Sequence, residues 1–258
     1  MEIWQAIILG AVQGFAEFLP VSSSGHLILL SNWFNIKENT LFYSVTLHIG
    51  TLIPVFIVMK NQILDTIKNA KPKLINLVLA TIPAGVIGLI FSLALDLDVL
   101  FEQNRWLLSI TFLVTAGQML LCQKSANTKS LIKPINAKTS LIMGLGQAIG
   151  VLPGVSRSGS TITFGNLAKV DKENNANFTF LMSIPIILAA LFMQVLSLIT
   201  TNESTNIDII PLVFGVISAS VCGYVAINSM LKVIKKANYK WFSLYLVLIS
   251  IINLVTCL

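Results

Sequence analysis

The sequence predicts an all-α polytopic membrane protein: six transmembrane helices plus two re-entrant helix hairpins, arranged as an inverted-topology repeat. Three observations predict it. The chain is 55% hydrophobic and only 11% charged, with a mean hydropathy of +0.83, which leaves too little polar surface to coat a soluble globule. Apolar runs recur along all 258 residues at about the ~20 residues that cross a bilayer. Two of those runs are interrupted by proline, glycine and hydroxyl residues, and the two interruptions resemble one another.

The first interrupted run covers residues 4–33 and carries Pro20 and Gly25. Proline removes an N–H and glycine loosens a helix, so the run reads as two half-helices with a break between them. Uninterrupted spans follow at 41–59, 76–95 and 106–122. The second interrupted run, 140–167, carries Pro153, Gly154 and Gly159, and precedes spans at 178–199, 209–229 and 241–257. Residues 1–258 read as a single integral membrane domain with halves at approximately 1–130 and 135–258, and the loops are too short for a separate soluble domain. No signal peptide is expected: the first residues lack a basic region, and the early apolar stretch contains Gln13 and Glu17.

Basic residues set the expected orientation. Fourteen of the seventeen Lys and Arg fall in the loops near 60–73, 124–138 and 232–240 or at Lys169 and Lys172, which makes those loops cytoplasmic. The segments 96–105 and 200–208, with Asp96, Asp98, Glu102, Glu203 and Asp208 but only Arg105, then lie outside, as do both termini. The net charge of +6 is thereby read as topology, and no nucleic-acid partner is expected. Cys122, Cys222 and Cys257 are odd in number and sit in apolar runs, so they read as packing residues. An offset of 134 takes Gly10 to Gly144, Gln13 to Gln147, Val21 to Val155, Ser22 to Ser156, Ser24 to Ser158 and Gly25 to Gly159 without a gap. Such a repeat brings the two breaks together near the midplane, where nonhelical backbone must line protein or a wet cavity.

The breaks carry the candidate chemistry. Glu17 lies four residues after Gln13, on the same helical face. A charge at bilayer depth costs at least ~2.5–3.5 kcal/mol, so Glu17 needs a partner, an aqueous cavity or a cation. It reads as a general base, as a ligand for a hard divalent cation with Gln13 adding a carbonyl oxygen, or as a structural partner of Arg157. Ser22, Ser23 and Ser24 suit helix capping, yet the nearby His26 also suits activation of a hydroxyl nucleophile. His48, with no acid or hydroxyl beside it in sequence, reads as a satisfied polar side chain, and Asp96 and Glu102 as solvated loop residues. The stretch PGVSRSGST reads as an anion site: Gly154 and Gly159 free the backbone, Ser156, Ser158 and Thr161 supply hydroxyls, and Arg157 a planar fork. A carboxylate, a Ser/His pair and an oxyanion loop in one membrane cavity point to phosphoryl transfer or hydrolysis on an anionic lipid.

These motifs, QGFAEFLPVSSSGH at 13–26 and PGVSRSGST at 153–161, resemble those of the undecaprenyl-diphosphate phosphatase, or bacitracin-resistance, family over nearly the whole chain. The resemblance implies hydrolysis of undecaprenyl diphosphate to undecaprenyl phosphate and inorganic phosphate. It implies a divalent cation (Mg2+ or Ca2+), a bacterial inner-membrane location and a site opening to the external face. By position it implies Glu17, Ser23, His26 and Arg157 as catalytic residues and Gln13 with Glu17 as metal ligands. Gln13 stands where some relatives have a second carboxylate, and Ser24 where a threonine is common. Whether Ser23, His26 or a water attacks phosphorus is left open, as is the oligomeric state, a homodimer included. A polyprenyl-phosphate transporter or flippase is the alternative reading, since inverted repeats with broken helices also suit alternating access. An intramembrane serine protease would leave Arg157 and the glycine-flanked loop without a role.

Overall fold

A computed structural model describes residues 1–36, 40–69, 71–95, 97–126, 133–201 and 208–257. Among them there is no strand, only an isolated bridge between Lys133 and Val170. Twelve helices are described: α1 (Ile3–Phe18), α2 (Ser23–Trp33), α3 (Thr40–Val58), α4 (Lys60–Asn69), α5 (Lys71–Ala94), α6 (Leu97–Gln103), α7 (Trp106–Ala126), α8 (Ala137–Ile149), α9 (Arg157–Leu167), α10 (Lys172–Thr201), α11 (Ile209–Lys236) and α12 (Lys240–Thr256).

Every predicted apolar run is helical, and both interrupted runs are broken pairs. α1 stops where Leu19, extended ahead of Pro20, leaves the helix. α8 stops at Gly150, three residues before Pro153. After each break a serine side chain caps the new helix: Ser22 Oγ accepts from Gly25 N–H (3.4 Å), and Ser156 Oγ accepts from Gly159 N–H (3.1 Å). At their far ends α1 begins with Gln5 Oε1 accepting from Glu2 N–H (2.8 Å), and α8 with a reciprocal Asn136–Thr139 pair.

The membrane character is plain. Four helices are long and apolar enough to cross a bilayer, Lys71–Ser92, Trp106–Ala126, Lys172–Met193 and Ile209–Ile234, and the bent pair Val45–Val58 with Lys60–Lys68 makes a fifth if it is one span. α12, with 17 residues, reaches only ~26 Å at 1.5 Å per residue, just under the hydrocarbon thickness. Ile82, Phe192, Val221 and Leu248 stand exposed along these helices, as a lipid-facing surface requires and a soluble one avoids. The chain is an integral membrane protein.

Two predicted loops are helices. The basic loop near 60–73 holds α4, turned 76° from the end of α3, because Ile63, Leu64 and Ile67 recur at helical spacing among its polar residues. α6 occupies most of the expected external loop and buries Phe101. α10 begins six residues before the predicted span: Asn174 N–H caps onto Asp171, and Asn175 is buried, donating to Ile162 O and Asn166 Oδ1 at 2.9 Å each. Internal hydrogen bonds let that polar turn enter the fold. Asp96, Lys129 and Glu203 lie outside the described residues, and nothing is described of the Asp98 side chain.

Packing positions the breaks. α1 lies along α11 and α8 lies along α5, while α11 also packs on α3 and α5 on α10. Close backbone approach fixes the first two crossings: a Cβ at Gly10 would sit 2.2 Å from Gly215 O, and one at Gly144 would sit 2.5 Å from Ala80 O. α7 runs against both α9 and α12. Phe18, Phe112, Met119, Ile162 and Phe180, all fully buried, form the core beside the breaks, with Phe18 and Phe180 edge to face at 5.9 Å.

Candidate active site

The two breaks touch. A Cβ at Gly25 would lie 2.9 Å from Gly154 Cα, and one at Gly159 would lie 3.1 Å from Pro20 Cβ. Gly154 itself turns the chain with φ +84°, a conformation that favours glycine, and a Cβ there would collide with Thr111 Oγ1 at 1.9 Å. Thr115 locks the same turn, donating to Gly154 O (3.2 Å) and accepting from Ser156 N–H (3.1 Å). Ser22 adopts a positive φ of 71° in the other break, which delivers Ser23 as the first residue of α2.

Glu17 sits at the junction with 5% exposure. Its Oε1 accepts a charge-assisted hydrogen bond from Arg157 Nη2. Its Oε2 accepts from Ser23 Oγ at 2.8 Å and from Gln13 Nε2 at 3.0 Å. His48 Nε2 lies 3.4 Å from the same oxygen. The buried carboxylate is therefore surrounded by donors, which is how a low-dielectric site holds an anion. The structural pairing of Glu17 with Arg157 and its contact with the hydroxyl Ser23 coexist. Arg157 has five N–H donors and spends one side of its fork on Glu17, so the others remain available to an anion.

His26 is placed differently from the Ser/His pair the sequence suggests. Ser22 O can only accept, so His26 Nδ1 donates to it at 2.7 Å. In the neutral ring Nε2 then accepts from Tyr245 OH at 2.6 Å. The ring stacks on Tyr245 at 8° between planes and meets Phe112 edge-on. His26 thus braces the break from behind, while Glu17 is the group in contact with Ser23.

The hydroxyls of the second break are largely engaged by backbone. Ser156 caps α9, Ser158 Oγ donates to Leu19 O (3.2 Å) across the junction, and Thr161 Oγ1 donates to Arg157 O (2.9 Å). Ser158 and Thr161 nevertheless line, with Glu17, Gln147 and Arg157, a narrow crevice to which Phe180 and Ser183 of α10 also contribute. Gly154, Ser156 and Gly159 shape the turn that leads into it. Sequence reasoning missed His48 and Tyr245. His48 was detectable, because an imidazole inside a span is costly at that depth whatever its sequence neighbours are. Tyr245, in an ordinary apolar helix, gave no signal.

No cluster of three or more His, Cys, Asp or Glu exists among the described residues. The junction offers one carboxylate and, beside it, the buried Gln13 Oε1, which has no hydrogen-bond partner. That set fits a hard cation of the kind held by one or two protein oxygens together with substrate phosphate oxygens.

Residues 6–252 match the family model described as Bacitracin resistance protein BacA. The chain is 36% identical over 257 residues to an undecaprenyl-diphosphatase of Carboxydothermus hydrogenoformans, covering 99% of this chain and 97% of that one. It is 37% identical over 262 residues to one from Treponema denticola, covering 96% and 94%. A third, from Methanobrevibacter smithii, is 35% identical over 273 residues, covering 98% and 96%.

Proposed function

The chain belongs to the bacitracin resistance protein BacA family, and from that membership and the junction around Glu17 we propose how it hydrolyses undecaprenyl diphosphate to undecaprenyl phosphate and inorganic phosphate. The reaction returns a carrier lipid to envelope synthesis, including peptidoglycan, and underlies bacitracin resistance. The observation that carries the mechanism is the pair of bonds on Glu17: one oxygen receives Ser23 Oγ–H, and the other is held by Arg157.

Arg157 and the first turn of α9 bind the diphosphate, a helix N-terminus and a guanidinium both favouring phosphate oxygens. Ser23 Oγ attacks the terminal phosphorus as its proton passes to Glu17. The P–O bond to the bridging oxygen breaks, and undecaprenyl phosphate leaves. Glu17 passes that proton to the departing undecaprenyl phosphate; water then attacks the Ser23–phosphate ester as Glu17 takes its proton and returns it to Ser23 Oγ, which releases inorganic phosphate and restores the hydroxyl. Arg157, by holding Glu17 in place, keeps the base aimed at Ser23. Gln13 Oε1 and Glu17 would hold a divalent cation, Mg2+ or Ca2+, together with the substrate's phosphate oxygens, and it would offset charge developing there.

The architecture we propose is six spans and two re-entrant hairpins in one membrane domain, repeated with inverted topology. α1 and α8, α2 and α9, and α7 and α12 start 134 residues apart, the offset relating the two sequence motifs. The contacts exchange in the same way. Gly25 approaches Gly154 and Gly159 approaches Pro20, where Gly159 and Gly154 are the counterparts of Gly25 and Pro20. A pseudo-twofold axis requires such reciprocity. Family membership supports a bacterial cytoplasmic membrane with the site open to the external face, and the distribution of Lys and Arg favours the loops near 60–73, 124–138 and 232–240 on the cytoplasmic side.

Purified protein assayed for phosphate release from undecaprenyl diphosphate, with and without EDTA, tests this reading. Wild type releases phosphate only with the cation, and Ser23→Ala is slower by at least about a thousandfold, as for other removed nucleophiles. Near-normal turnover in Ser23→Ala would overturn attack by serine.

A further inference from the structure

We propose that Gln147 is a phosphate-binding residue of this site, its Nε2 donating a hydrogen bond to an oxygen of the diphosphate that Arg157 holds. The inference rests on the diphosphatase reading above. Gln147 is 1% exposed, and its Nε2 is buried with no hydrogen-bond partner. A buried amide donor left without an acceptor is unfavourable and rare. This one lines the crevice that Glu17, Arg157, Ser158 and Thr161 also line, so its surroundings already include the guanidinium expected to hold an anion.

Comparison of the two halves identifies what is missing. Gln13, the counterpart of Gln147 at the offset of 134, donates its Nε2 to Glu17 Oε2 at 3.0 Å. The anionic oxygen stands four residues further along the same helix. At the corresponding place after Gln147 the chain has Val151, and no carboxylate is supplied. One glutamine thus meets an anionic oxygen from the protein, and the other has the donor without the oxygen. A phosphoryl oxygen on Arg157 supplies it. The asymmetry also has a chemical sense, because a second carboxylate at position 151 would repel the diphosphate that Arg157 attracts.

The test uses full-length purified protein and two variants, with phosphate release from undecaprenyl diphosphate and thermal protection by inorganic diphosphate as independent readouts. Gln147→Met keeps the length of the side chain and removes the donor. It is expected to fold with a Tm no lower than wild type, to raise KM by about tenfold, the loss of one hydrogen bond to a charged oxygen, and to weaken protection by diphosphate. Gln147→Glu, which sets like charge against the ligand, is expected to lose more on both readouts. A Met variant with unchanged KM and unchanged protection, whether or not its Tm falls, would overturn the assignment while leaving the diphosphatase reading intact. If wild type releases no phosphate but its protection by diphosphate still depends on Gln147, the assignment stands and the hydrolase reading falls.

Discussion

Around Glu17 a single buried carboxylate is shared among Arg157, Ser23, Gln13 and His48. Each neighbour draws on the same charge, so their proposed roles are coupled. His48, 3.4 Å from the oxygen that Ser23 also contacts, positions that oxygen and stabilises its charge. His48→Ala is therefore expected to lower kcat by about a hundredfold, the low end of what a group aiding proton transfer contributes, with KM little changed; unchanged kcat would remove His48 from the site. Glu17, Ser23 and Arg157 were legible in sequence because each is chemically out of place in an apolar run. His48 is equally out of place, but its neighbours in sequence do not point to its partner, which lies on another helix. The engagement of His26 by Tyr245 was not legible, since it joins residues 219 positions apart and nothing marks Tyr245 as polar-facing.

The two breaks meet in one contact between helix ends, and its geometry depends on small residues. Gly154 combines a φ of +84° with a contact that leaves no room for a methyl group against Thr111. Gly154→Ala should displace the turn, misplace Arg157 and lower both activity and Tm, the strain at such a φ costing about 1–2 kcal/mol before the clash is counted. A variant with wild-type Tm and activity would show that the turn does not set the site. Helix identities were legible from apolar run length and from Pro20 and Pro153. Helix ends were less so. α10 starts early because Asn175 finds partners at Ile162 and Asn166, which a hydropathy reading cannot anticipate. α4 was hidden because its Lys60 and Lys68 made it look like a loop.

Across the whole molecule, the crossings α1 with α11 and α8 with α5 tie each half's first helix to the other half, so neither half can build the junction alone. The proposed orientation rests on where the basic residues lie. In a background with Cys122, Cys222 and Cys257 replaced by Ser, a single cysteine at Lys68 or Lys236 should react with an impermeant maleimide only in inside-out vesicles. One at Asn104 should react in intact cells; the reverse labelling pattern would invert the proposed topology. In the proposed mechanism residues from the two breaks form one hydrolytic unit, Glu17 from the first and Arg157 from the second. The most direct measurement is a double-mutant cycle on phosphate release from undecaprenyl diphosphate, with wild type, Glu17→Gln, Arg157→Ala and the double variant. Large losses are expected in both single variants, with a double variant no slower than the worse of them, as for residues acting as one unit. Losses that multiply in the double variant would contradict that mechanism.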